Sequence, residues 1–367
     1  MTSQGQAGQM AESEPRSNAA PSTTSPVHAD PQGRRRVVAR LRELCGVRNI
    51  GAVYVLLIIS VIFSIWAPDE FLSLATVRQL LDSSALTALS ALAIVVPLSA
   101  RVFDLSFAYT MSLSGVTAAY LIVTAHLNLT ASILLGLGAA LLVGLVNATV
   151  VVVLNIDSFI GTLATGSVIQ AFIIMVTAGS SITSYKLATG VFEEISQGSV
   201  SGIQLPVFYA IIVALGIWVF LEHSPTGRRL YATGFNPEAA RLANIRIDRL
   251  RFVSLLISAL IAGFAGIVLA STISAGSPAG GTPYLLPAYA AAFVGATQLK
   301  HGRFNAWGTL IAVAMLGVGD VGLGLTSAPQ WASDLFTGVV LLAALGFTGL
   351  RHSTNVALRN ARRQVPQ

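Results

Sequence analysis

Charge is what this sequence has least of. Asp, Glu, Lys and Arg make up 10% of its 367 residues, against roughly 25% in an ordinary soluble domain. Lysine occurs only in Tyr185-Lys186-Leu187 and Leu299-Lys300-His301. A Gly-Lys-Ser/Thr phosphate loop is therefore absent, and the chain is not itself a P-loop ATPase. Its single cysteine, Cys45, excludes an intramolecular disulfide framework and a cysteine-based zinc site. His28, His126, His223, His301 and His352 stand at no metal-ligand spacing. No nucleophile, acid and base fall together, so an enzyme is not expected, nor a metal or cofactor.

Long apolar runs fill the space that charge leaves. Hydrophobic residues reach 54% and mean hydropathy is +0.72. Ten spans are read at roughly 50–66, 79–100, 105–125, 130–154, 158–178, 206–222, 251–272, 284–299, 305–325 and 331–350, each near the length a bilayer requires. The eighth is short, with Pro283 and Pro287 at its start. The fold class is all-α: a polytopic helical membrane bundle of about ten spans. Spans 2–5 and 7–10 start from opposite faces, which is compatible with two inverted four-helix repeats. Gly136, Ala140 and Gly144 in span 4, and Gly263 and Gly266 in span 7, are small residues of the kind that let helices approach closely.

Threaded from the inside, these spans leave Arg78 and Lys186 as the outer cations among the 22 Lys and Arg residues. Cationic loops resist translocation, so both termini are expected in the cytoplasm of a bacterial cell, with the chain multi-pass in its cytoplasmic (inner) membrane. The net charge of +6 is read as juxtamembrane anchoring to anionic lipid, not nucleic-acid binding. Residues 1–33 carry no apolar stretch and are expected to be a disordered cytoplasmic tail. Arg34 to Arg48 then anchor the membrane domain, 34–350, which a basic tail follows at 351–367. Arg101 and Asp104, three apart, are expected to form an inner-end element in the turn between spans 2 and 3. Asp320 stands out as the plausibly deep carboxylate. Gly317-Val318-Gly319-Asp320-Val321-Gly322 matches a dinucleotide fingerprint, but it lies inside an apolar span with no strand before it.

The inner loop between spans 6 and 7 carries Gly234-Phe235-Asn236-Pro237-Glu238-Ala239-Ala240-Arg241-Leu242-Ala243-Asn244-Ile245. Asn236 is a good N-cap, Pro237 suits the first helical position, and Glu238 favours the positive helix end. A short capped helix with small surface residues is expected here. The segment resembles the Gly-Gly-Asn-x-x-Ala-Ala-Arg-Leu-x-Gly-Ile motif of permease subunits of ribose-type sugar ABC importers. Gly234, Asn236, Ala239, Ala240, Arg241, Leu242 and Ile245 match it, and Phe235 stands where the family has glycine. Asp104-Leu105-Ser106 matches the core of the family's Gly-Ile-Asp-Leu-Ser-Val-Gly motif. Pro278, Gly281-Thr282, Tyr284 and Gly308-Thr309-Leu310-Ile311 follow its pattern further on.

The resemblance implies a membrane subunit that moves a sugar or related small polar solute by alternating access. Its partners would be a separate ABC ATPase, a periplasmic or extracytoplasmic substrate-binding protein, and a second permease copy or paralogue. The segment from Gly234 through Pro237 and Glu238 to Ile245 would be the ATPase-coupling helix. Asp104, Ser106, Pro278, Thr282, Tyr284 and Asp320 are the pathway or gate candidates. Departures from the pattern fall at Val102 and Ala108 (family glycines), Pro287 (an aspartate), and Asp320-Val321 (an asparagine pair). An ion-coupled secondary transporter is the alternative reading of the same spans.

Overall fold

The computed structural model describes residues 47–297 and 302–363, with side chains described for 51–297 and 302–346. The predicted 1–33 tail, the arginines from Arg34 to Arg42, Cys45 and Lys300 lie outside the described residues, as do the side chains of Arg48 and of residues from 351 onward.

Helices occupy all ten predicted positions. In chain order they are α1 Val47–Trp66, α2 Pro68–Phe71, α3 Leu74–Ser99, α4 Phe107–Val123, α5 Leu129–Ala148, α6 Ser158–Thr177, α7 Val191–Gln197, α8 Leu205–Trp218, α9 Pro225–Phe235, α10 Pro237–Leu242, α11 Ile247–Thr272, α12 Leu285–Thr297, α13 Ala306–Leu325 and α14 Gln330–Arg363. Helices α2, α7, α9 and α10 belong to connections. Among the described residues, six helices are long and apolar enough to cross a membrane alone, and α1, α4 and α14 hold shorter apolar stretches. Helix α12, the short eighth span, is described from Leu285 to Thr297, where the described residues break off. Helix α14 continues to Arg363, through most of the segment assigned to the basic tail.

Helices α3 and α11 form the centre. Of their apolar windows 67% and 61% are buried, against 28% in α5, α6 and α8. Both are 26 residues long. Two residues beyond each lies a left-handed residue, Arg101 (φ 56) and Ser274 (φ 51). A stretch without α-helix follows each, and then the next span, α4 of 17 residues and α12, which is described as far as Thr297. Each next helix, α5 and α13, has 20 residues and an asparagine N-cap, Asn128 and Asn305. Asn155 and Ser327, again left-handed, then precede α6 and α14 by the same spacing. The two halves thus share an order of turns and caps, as two inverted repeats would require. The halves are also exchanged: α3 packs on α12 and α13, while α11 packs on α4 and α5.

Small residues make that exchange possible. A Cβ added at Gly266 would strike the Met111 carbonyl on α4, and one at Gly263 would strike Ala140 on α5. Without a hydrophobic drive between helices in lipid, this close packing supplies the association energy.

The two ends of the bundle differ. At one end, residues 179–205 fold into a cap pinned to both halves. Strand β1 (Ile182–Thr183) pairs with β4 (Ala275–Gly276), and β2 (Ser199–Val200) pairs with β3 (Ile203–Gln204). Asp82 on α3 accepts from the Gln204 N–H at 3.0 Å, and Arg78 donates to the Ser201 carbonyl at 3.5 Å. Ser271 on α11 donates to the Phe192 carbonyl at 2.6 Å, and Lys186 meets His126 at 3.2 Å. The two outer cations thus share this cap end. Helices α9 and α10 occupy the opposite end.

Gly266→Val should lower the thermal midpoint of the detergent-purified protein, with an overpacking cost of about 1–3 kcal/mol. Gly324→Val, whose added Cβ meets nothing within 4 Å, should leave the midpoint unchanged or raise it, because glycine weakens helices. Size-exclusion chromatography after heating reads both, and equal midpoints would remove the close-approach argument.

Candidate functional site

Helix α10 forms as its sequence dictates. The Asn236 carboxamide oxygen accepts from the Ala239 N–H at 3.1 Å, Pro237 occupies the first turn and Arg241 the last. Asn244 closes the helix in the left-handed region (φ 56), where its N–H donates to Arg241 at 2.9 Å and the following Ile245 N–H to Ala240 at 3.0 Å. Asparagine tolerates that conformation. Ala240 is buried against the bundle, whereas Glu238, Ala239 and Arg241 are exposed. Leu242 is 90% exposed, and so stands free of its own chain. One buried foot and one open face are what a docking element needs.

Helix α9 ties this element to the bundle. Ser224 caps it by accepting from Gly227 at 2.9 Å. Gly234 sits so close to the end of α3 that a Cβ would strike the Ser99 carbonyl. Tyr231 donates its hydroxyl to the Phe304 carbonyl at 2.7 Å, reaching the connection before α13. Burial raises the Tyr231 pKa above its ordinary value, Glu222 raises it further, and Arg303 opposes both. The hydroxyl thus keeps its proton for Phe304. The Arg303 guanidinium lies 5.5 Å from the Tyr231 ring centroid and 5.1 Å from that of Phe235.

Asp104 and Ser106 occupy a second place. Ser258, which meets Asp104, lies about 16 Å along α11 at 1.5 Å per residue. The non-helical 102–106 segment therefore enters the bundle to mid-depth before α4 begins. Such backbone persists at depth only when protein groups satisfy it. Ser158 accepts from the Phe103 N–H and Thr162 from the Leu105 N–H, both at 3.0 Å. Asp104 Oδ1 accepts from the Ser106 N–H at 3.1 Å and its hydroxyl at 2.7 Å. Asp104 Oδ2 accepts from the Ser258 hydroxyl at 2.7 Å. Asn147 donates to Ser106 Oγ at 2.6 Å. The carboxylate also faces the positive end of α4.

The expectation that Arg101 and Asp104 form one local element is corrected here. Arg101 is exposed, while Asp104 is 1% exposed and uses both oxygens on serine donors. The left-handed turn at Arg101 separates their directions. Asp320 lies on an exposed face of α13, whereas Asp104 is the buried carboxylate. Pro278 is buried, Thr282 donates to the Ala279 carbonyl at 2.8 Å, and Tyr284 is half-buried, all near the cap end. The pathway candidates thus fall in three separate places. The cavity between α4 and α11, lined by Met111, Ser112, Gly266 and Gly280, holds about 10 Å³, room for one water. No cluster of three metal-ligating side chains occurs among the described residues.

Sequence reading missed Asn147, Ser158, Thr162 and Ser258. The signal that could have found them is a polar residue on an apolar span, with Ser158 and Thr162 one turn apart. Asp104→Leu should orphan the Ser106 and Ser258 donors, at about 1–3 kcal/mol for each group left buried and unsatisfied. Asp104→Asn, which keeps an acceptor and the volume, should cost less. Thermal denaturation in detergent orders the two, and a Leu variant as stable as wild type would mean that the network does not hold the segment.

A model of the branched-chain amino acid transport system / permease component family matches residues 76–345. The ribose import permease protein RbsC of Bacillus subtilis (strain 168) is 31% identical over 298 residues, 81% of this chain and 92% of that protein. The L-arabinose ABC transporter permease protein AraH of Azospirillum brasilense is 29% identical over 317 residues, 85% of this chain and 91% of that one. The D-allose transport system permease protein AlsC of Escherichia coli (strain K12) is 26% identical over 300 residues, 82% and 91% of the two chains. The family match runs from within α3 into α14 and takes in both halves, the 102–106 segment and α10. The chain belongs to the branched-chain amino acid transport system / permease component family.

Proposed function

We propose that this chain is the transmembrane subunit of an ATP-driven importer for a sugar or related polyhydroxylated solute. The observation that carries the reading is α10, a capped helix of six residues with an open face and a 90%-exposed Leu242. A helix this short is not stable alone, and its exposed apolar side chain suits a partner. The chain has no phosphate loop of its own, so the partner is a separate ATPase subunit. Its relatives, named for ribose, L-arabinose and D-allose transport, support a sugar as cargo.

Transport follows from the exchanged halves. The ATPase binds one arrangement of α9 and α10 better than another, and that difference in affinity shifts the equilibrium between outward- and inward-open states. An extracytoplasmic binding protein delivers the solute at the cap end. A second permease copy or paralogue, which the resemblance implies, completes the transport unit. The charge distribution supports both termini in the cytoplasm, with the cap outside.

Arg241→Glu reverses a charge on the open face, and Asn236→Ala removes a cap contributing about 1 kcal/mol. Both should reduce uptake in proteoliposomes and uncouple ATP hydrolysis, while binding-protein docking stays normal. Wild-type hydrolysis and uptake in Arg241→Glu would sink the docking assignment, and uptake by this chain alone on an ion gradient would replace the importer with a secondary carrier. For orientation, a cysteine placed at exposed Ser199 should react with impermeant thiol reagents in intact cells, and Cys45 should not. Labelling of Cys45 from outside would invert the topology.

A further inference from the structure

We propose that Arg303, stacked on Phe235 and Tyr231, is a second part of the ATPase-binding surface and is supplied by the other inverted half. The inference rests on the reading of α10 as the docking helix and extends its footprint. Three observations carry it. Phe235 is 55% exposed at the end of α9, directly before the docking helix α10, and a large exposed aromatic there suits a partner. It also stands where the resembling motif has glycine, so the ring is a feature of this chain. Arg303 is exposed, yet its guanidinium is held near two rings, at 5.5 and 5.1 Å.

Stacking over ring faces uses the flat surface of the guanidinium and leaves its in-plane N–H donors free. Those donors are then pre-organised, which lowers the ordering cost when a carboxylate partner arrives. The surrounding surface has the same sign. Arg228, Arg229, Arg241, Arg246 and Arg249 are exposed at this end, against Asp157, Glu238 and Asp248. The fitting partner is thus an ATPase face that is acidic around an apolar pocket for Leu242.

The position of Arg303 gives the contact its consequence. It precedes α13 in the second half, while Phe235 and Tyr231 lie on α9, which packs against α3 of the first half through Gly234. One ATPase subunit that grips α10 and Arg303 together therefore holds α9, the end of α3 and the connection before α13. From Phe304 the ring contacts continue inward, to Phe293 at 5.5 Å, Tyr289 at 6.2 Å and Phe103 beside Asp104 at 6.4 Å. Movement at the docking surface thus has a packed route to the 102–106 segment.

The test uses the full-length chain in lipid nanodiscs and the ATPase subunit that copurifies with wild type, identified by its own ATP hydrolysis. Arg303→Ala should weaken its binding about tenfold, as expected for one truncated interface arginine, and should flatten the salt dependence of the association rate. Arg303→Lys should recover the salt dependence and part of the affinity. Phe235→Leu should weaken binding several-fold without altering the salt slope, because only the platform is lost. Arg241→Glu is run beside them. If Arg241→Glu abolishes binding while Arg303→Ala matches wild type, the extended footprint is wrong and the docking helix stands. If Arg303→Ala lowers the thermal midpoint yet leaves affinity and salt slope intact, the stack serves only the fold and the proposal falls. If Arg241→Glu also binds normally, the docking reading itself fails.

Discussion

A backbone N–H or C=O within the hydrocarbon has no water to turn to, and each unpaired group costs several kcal/mol. Most of this chain meets that constraint with helices. Around 102–106 it does not, because Arg101 turns left-handed and the chain returns to mid-depth without helical bonds. Ser158, Thr162 and Asp104 then accept the Phe103, Leu105 and Ser106 N–H groups. Those side chains come from α6 and from the segment itself, and Ser258 on α11 holds the carboxylate in turn. Four parts of the bundle are therefore fixed relative to one another by satisfying one short stretch of backbone.

The exchange of α3 and α11 between the halves follows the same logic of close contact. Each long helix passes through the opposite half, so neither half is complete without the other. Gly263 and Gly266 let α4 and α5 approach α11 closely enough for backbone contact. A bundle built this way is not divided by a soft interface.

The two ends suit opposite tasks. The cap end is stitched to both halves through Asp82, Arg78, Ser271 and the β1–β4 pair. The other end presents α10, with little of its surface used by its own chain. Tyr231 links that surface to the connection before α13 by one hydrogen bond whose donor burial keeps protonated.

What the sequence determined by itself is local or statistical. Apolar runs placed the spans, because the bilayer sets their length. Asn236, Pro237 and Glu238 announced α10, because capping needs only residues three apart. The two outer cations, Arg78 and Lys186, did fall at one end. Tertiary structure alone decided the rest, because it concerns groups far apart in the chain. Asp104 and Ser258 lie 154 positions apart, and no spacing rule joins them. Arg101 and Asp104 were expected to act as one inner-end element from proximity in sequence, but a left-handed turn leaves Arg101 exposed and Asp104 buried. Asp320 stands in an apolar run, and only the rotation of α13 against α3 and α14 decides that it lies on an exposed face. The two halves share an order of turns and caps rather than matched residues, since lipid constrains packing far more tightly than side-chain identity.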